Sequence, residues 1–232
     1  MGPGKLRDAA STLRYWELRQ QVATNNLANA ETPGFKAERV FARLLGDATV
    51  EIGAETDLTA GALRPTGNPL DLALTGETRF FVVSTRDGER LSRGGALHLD
   101  DKGRLVDAAG NAVLAEDGPV AVPEGTAVTI GHDGTVRADG AVIGRLRVET
   151  VDDPQSLVHE PAGLWRADGP RVKVEGDDRG VRQGVIEASN TNTLDSMVEL
   201  ITIQRAYAAV QGGVRTLDGV LDTIANRIGR LG

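Results

Sequence analysis

At 232 residues the chain has room for one large domain or two small ones. Twenty-six basic against 33 acidic residues leave a net charge of −7 with no long Lys/Arg cluster, which argues against binding nucleic acid through its phosphates. The absence of cysteine excludes disulfides, thiolate zinc sites and cysteine nucleophiles, and the three histidines, His98, His132 and His159, are too scattered to form a metal motif.

In chain order, residues 5–28 read as a helix. Leu6, Ala9, Leu13, Trp16, Gln20, Ala23 and Leu27 alternate by three and four, the a/d stripe of a coiled coil with one polar member. Asn25, Asn26 and Asn29 end it, since Asn is a weak helix former that tolerates left-handed geometry. Thr32 is pushed to extended geometry by Pro33, and Pro33-Gly34 favours a turn. Residues 35–45, with Phe35, Val40, Phe41, Leu44 and Leu45, read as a short helix or an extended arm, and 46–66 as a polar linker.

Residues 67–182 read as all-β. Short apolar or alternating runs at 70–74, 80–84, 104–107, 127–130 and 142–151 are separated by hairpin-type pairs: Asp87-Gly88, Lys102-Gly103, Gly110-Asn111, Asp117-Gly118, Asp133-Gly134 and Asp139-Gly140. The last helix starts at Asn192 as N-cap, with Asp195 favouring its positive end. Its stripe runs Leu200, Ile203, Tyr207, Val210, Val214, Leu217, Leu221, Ile224, Ile228 and Leu231 without a miss, in a helix that from Thr193 to Leu231 would be roughly 58 Å long at 1.5 Å per residue. Gly212, Gly213 and Gly219 weaken it by about 1 kcal/mol each relative to Ala. The expected fold is mixed α and β: long N- and C-terminal helices forming a coiled-coil-like stalk around a central all-β sandwich or irregular barrel. Its expected segments are 1–45, the 46–66 linker, the 67–182 β domain and 183–232. The two stripes can pair with each other, with other copies, or with both.

Catalytic motifs are weak. Asp100-Asp101, Asp152-Asp153 and Asp177-Asp178 sit in turn-like surroundings and read as solvated turn acids. No Gly-x-Ser-x-Gly elbow and no Gly-x-x-x-x-Gly-Lys-Ser/Thr loop occurs. No cofactor, metal or small-molecule substrate is expected. No apolar run approaches ~20 residues, so no membrane insertion is expected either. No cleavable secretion signal is visible, which points to the cytoplasm unless the chain leaves by a route needing none.

The segment Asn25-Asn26-Leu27-Ala28-Asn29-Ala30-Glu31-Thr32-Pro33-Gly34-Phe35-Lys36 closely resembles the N-terminal signature of bacterial flagellar rod and hook proteins. Residues 66–74, 118–123, 128–136, 184–192 and 197–207 resemble further blocks of that family in the same order. Length and the 118–136 block look most like the proximal rod branch, the F type, with the distal G type second. Glu31 stands where a small hydroxyl residue is usual, Thr78 where a glycine is expected, and Gly212-Gly213 loosens the final helix.

The resemblance implies a structural subunit, not an enzyme, that polymerises helically as the axial drive shaft, its terminal helices inside and its β domain outside. It implies other rod subunits as partners, a periplasmic site in the basal body, and passage through the flagellar type III export apparatus without a cleaved signal. The expected assembly interface is Leu200, Ile203, Tyr207, Val210, Val214, Leu217, Leu221, Ile224 and Ile228, complemented by Leu6, Leu13, Trp16 and Leu27. Asn25, Asn26, Leu27, Asn29, Thr32, Pro33, Gly34 and Phe35 form the turn joining the inner helices to the outer domain. A cell-wall hydrolase with a coiled-coil stalk, using Asp71, Asp100 and Asp101, and a cytoplasmic coiled-coil adaptor are the alternatives.

Overall fold

The computed structural model describes residues 3–45 and 50–228, with side chains over 11–45 and 50–213. The chain forms two compact units. One contains Met1–Ala28, Glu38–Glu55 and Asn192–Gly232; the other contains Asn29–Ala37 and Thr56–Thr191.

In the helical unit, α1 (Pro3–Ala28) is followed by a two-stranded hairpin of β1 (Glu38–Leu44) and β2 (Val50–Thr56), and α2 (Thr193–Ile228) closes the chain. Asn192 caps α2, its Oδ1 accepting from the backbone N–H of Leu194 at 3.0 Å and Asp195 at 3.4 Å. The two helices pack together. Ile203 is fully buried, Leu200, Tyr207, Val210, Leu13, Trp16 and Leu27 are half-buried, Arg19 pairs with Glu199, and the Tyr207 hydroxyl donates to Glu17 at 3.3 Å. Leu6, Val214, Leu217, Leu221, Ile224 and Ile228 lie on helical backbone, but their side chains are outside the described residues, as is Leu231 altogether.

The β unit is organised around one strand. β3 (Leu63–Pro65) pairs with Val185–Glu187, and β4 (Leu72–Leu74) with Val181–Gln183. β5 (Arg79–Thr85) pairs antiparallel with β6 (Gly88–Ser92) and with the strands Ala112–Ala115 and Val148–Val151, at the heart of a ten-stranded sheet. Successive residues of a strand point to opposite faces. Accordingly Phe81 and Val83 enter one apolar cluster, with Leu72, Leu105, Val136, Leu146 and Val148, whereas Phe80 and Val82 enter another, with Leu91, Leu114, Val151 and Trp165.

The expected coiled-coil stalk around a sandwich or barrel is not the fold. α1 and α2 are the two α-helices among the described residues, and strand outweighs helix over five separate sheets rather than one sandwich or barrel. The helical unit is not a two-helix stalk, because a β-hairpin is part of it. The physical reason lies in α1. A coiled coil needs large apolar side chains at every a and d. The α1 stripe carries Gln20 and Ala23, and of the buried residues of α1 among those described, Val22, Ala23 and Asn26, two step off the heptad and the third is small. The span 46–66, read as a linker, holds β2 and β3, and residues 35–45 hold β1. Glu51 and Glu55 made β2 look polar and hid the alternation of Val50, Ile52 and Ala54.

Candidate functional site

The Asn-rich turn is built by side chains that replace missing backbone partners. After α1 ends, the Asn26 amide pairs with Glu38 as a strand would, donating to its carbonyl at 2.8 Å and accepting from its N–H at 3.0 Å. Asn29 organises the turn, its carbonyl accepting from Thr32 N–H at 3.0 Å and its Oδ1 from the Thr32 hydroxyl at 3.2 Å. After Pro33, Gly34 has φ +72°, and a Cβ there would lie 2.2 Å from the Arg93 carbonyl oxygen. Only glycine meets both demands. Phe35 is buried against His159 in a T-shaped contact, and His159 and Phe80 both flank Trp165.

Lys36 opens a buried ionic cluster. Its ammonium donates to the Thr59 carbonyl and to Glu187 Oε1, both at 2.7 Å. Glu187 Oε2 accepts from Arg93 Nε at 3.0 Å and Nη2 at 2.5 Å, while Oε1 also takes the Gly61 N–H at 2.8 Å. All three charged side chains are at most 1% exposed. Arg93 Nη1 donates to the carbonyls of Gly76 and Arg79, each at 2.6 Å. Burial pushes the Lys36 ammonium below its ordinary pKa; the Glu187 hydrogen bond opposes this and the Arg93 charge adds to it. A second knot lies beside the first. Asn190 Oδ1 accepts from Ala37 N–H at 2.7 Å and Nδ2 donates to the Asp57 carbonyl at 2.8 Å. Residues 36–37, 57–61 and 187–190 are thus tied together within the β unit.

Most of the carboxylates weighed for catalysis occupy turns, Asp71 being in a β-bridge with Ala96. Asp100 accepts from the backbone of Lys102 and Arg104 and from the Arg104 side chain, Asp153 caps a short 3-10 turn, and Asp177 and Asp178 lie in another. Asp71 accepts from the Asn68 amide at 3.0 Å. Among the described residues no three His, Cys, Asp or Glu side chains converge as metal ligands. The Thr150 hydroxyl donates to the Thr78 hydroxyl at 3.0 Å.

Leu200, Ile203, Tyr207 and Val210 share one face of α2, with Ile203 buried and the other three half-buried. Sequence reasoning missed Arg93 and Glu187: Glu187 left a faint signal as the one charge closing the apolar pair Val185-Ile186, and Arg93, ending the polar run 88–93, left none. It also missed two apolar faces left open to solvent in the helical unit. One is an α2 ridge of Leu194, Met197, Val198 and Ile201; the other is on the hairpin, including Leu44 and Val50.

Three stretches match known families. Residues 6–36 match a family described as flagella basal body rod protein, 73–138 the D1 domain of flagellar hook protein FlgE/F/G, and 182–228 the C-terminal region of flagellar basal body rod FlgEFG protein. Fold, turn and matches together define a structural protein of the bacterial flagellum. The chain belongs to the flagellar basal-body rod protein family. It is 33% identical to the flagellar basal-body rod protein FlgF of Rhizobium meliloti, over 95% of this chain and 96% of that one. To FlgF of Caulobacter vibrioides it is 31% identical over 91% of both chains. To the rod protein FlgG of Bacillus subtilis it is 26% identical over 95% of this chain and 97% of the relative.

Proposed function

We propose that this rod subunit polymerises helically through its helical unit and carries torque through packed side chains, with no bond made or broken. Its assembly surfaces include the terminal-helix stripes, Leu6, Leu13, Trp16 and Leu27 on α1 and Leu200 through Ile228 on α2, apart from Ile203, which is already buried within the chain. The turn at residues 25–35 sets how the chain passes from α1 into the β unit. Other rod subunits are its partners in a periplasmic rod, reached through the flagellar export apparatus without a cleaved signal.

One observation carries this reading. The family's signature segment is not a surface loop but a constructed junction, with Gly34 against Arg93, Phe35 in the aromatic cluster and Lys36 fully buried on Glu187. Such a junction serves load transfer, whereas Asp100, a candidate acid for a hydrolase, is held by turn hydrogen bonds. Deleting residues 193–232 tests it. Loss of motility and of basal-body assembly is expected, and persistence of both would overturn the polymer reading.

A further inference from the structure

We propose that the apolar face of the β1–β2 hairpin of one copy docks on the outward α2 ridge of the next copy of this chain. The inference rests on the rod-subunit reading and names the contact that propagates the assembly.

The ridge is a second stripe. Leu194, Met197, Val198 and Ile201 follow the i, i+3, i+4, i+7 spacing of one helix face and are 68%, 47%, 56% and 52% exposed. Ile203, on the opposite face, is fully buried against α1. One apolar stripe holds α2 in its own chain, so this one is surplus to that need.

The hairpin supplies the complement. The Arg43 guanidinium lies 5.8 Å over the Phe41 ring, and a Cβ on Gly53 would touch that ring, so Phe41, Arg43 and Gly53 share one face. Strand alternation then puts Arg39, Glu51 and Glu55 on that charged face too. Val40, Ala42 and Leu44 of β1, with Val50, Ile52 and Ala54 of β2, fall on the other, which is apolar except at the base of the hairpin, where Glu38 and Thr56 lie; Val40 and Ile52 are half-buried, and the open part is mainly the outer half. Leu44 is 71% exposed, Val50 44%, and Ala42 and Ala54 are exposed as well.

Both faces stand open in the same chain, so neither covers the other within it. They are unlike surfaces: a flat apolar sheet face accepts a convex helix ridge, as in ordinary helix-on-sheet layers. A contact between unlike surfaces is heterologous and repeats from copy to copy instead of closing as a two-fold pair. The fit in length is good, with ~10 Å of ridge on a ~23 Å hairpin. Each face offers a few hundred Å², below the ~800 Å² per partner of a stable interface. The contact is therefore weak between two free chains and holds where each copy makes it on both sides.

The cysteine-free sequence gives a clean test. Differently tagged full-length Leu44→Cys and Ile201→Cys chains are co-expressed, and basal bodies are treated with a short bismaleimide. A crosslinked product carrying both tags, absent when either variant is present alone, is expected. Ala54→Cys with Met197→Cys serves as a second pair. No mixed product from either pair, in basal bodies that contain the variants, would overturn the docking while leaving the rod reading intact. Crosslinking by one variant alone would overturn it by showing like-with-like contact. Failure of the rod reading itself is read separately, from the 193–232 deletion.

Discussion

The two units treat their apolar residues in opposite ways. In the β unit, Phe80, Phe81, Val82 and Val83 are consecutive and all buried, because β5 has a core on each face. In α2, Ile203 is the one fully buried apolar side chain among the described residues, while four large apolar neighbours face solvent. A unit that covers itself folds as an individual; a unit that leaves surface uncovered is finished by what it meets. The chain's two tryptophans separate these behaviours, Trp165 lying in the β unit and Trp16 in α1.

The comparison breaks most sharply at Glu187. Glu187→Ala strands two buried cations and is expected to destabilise the β unit by about 3–5 kcal/mol in urea unfolding followed by Trp165 fluorescence. Lys36→Met leaves the Arg93–Glu187 pair neutral and costs clearly less; equal losses would mean that charge balance is not what the cluster supplies.

Leu91→Ala, inside the cluster with Phe80 and Trp165, is expected to cost about 2–5 kcal/mol. Ile201→Ala should stay within about 0.5 kcal/mol in the free chain. If the two losses were similar, the contrast between units would fail. Asn192→Ala removes the α2 cap and should cost about 1 kcal/mol, visible as lost helical ellipticity without a change in Trp165 unfolding.

The smallest effect is acid sensitivity. Hydrogen bonding to Arg147 leads the causes that hold the Glu89 carboxyl below its ordinary value. Its contribution is present above the unfolded carboxylate pKa of about 4.3 and is lost as pH falls through the lower folded value. The pair is partly exposed, so the contribution is below about 1 kcal/mol. Arg147→Met should flatten the pH dependence of urea unfolding in that range.

Local signals were legible in the sequence. Gly88, Gly103, Gly110, Gly118, Gly134 and Gly140, from the six turn dipeptides, all adopt positive φ, and Asn192 is the cap that its position suggested. What stayed hidden is long-range. Lys36 and Glu187 are 151 residues apart and Arg93 and Glu187 are 94 apart, so no window of sequence joins them. The stalk expectation erred because a heptad reports which side chains share a face, not whether the facing helix has the size to fill it. The α2 ridge was overlooked for a related reason: attention to the unbroken stripe masked a second, shorter one a half-turn away.

The β unit is made of two pieces of chain, with the hairpin leaving after Ala37 and returning at Thr56. Ala37, Asp57 and Asn190 are nonetheless fastened to one another by a single carboxamide. A pull on the polypeptide from α1, from the hairpin or from α2 therefore arrives at one anchorage. Shear there must strain Asn190 and Glu187 together before any single segment slips, as a splice holds several ropes by one binding.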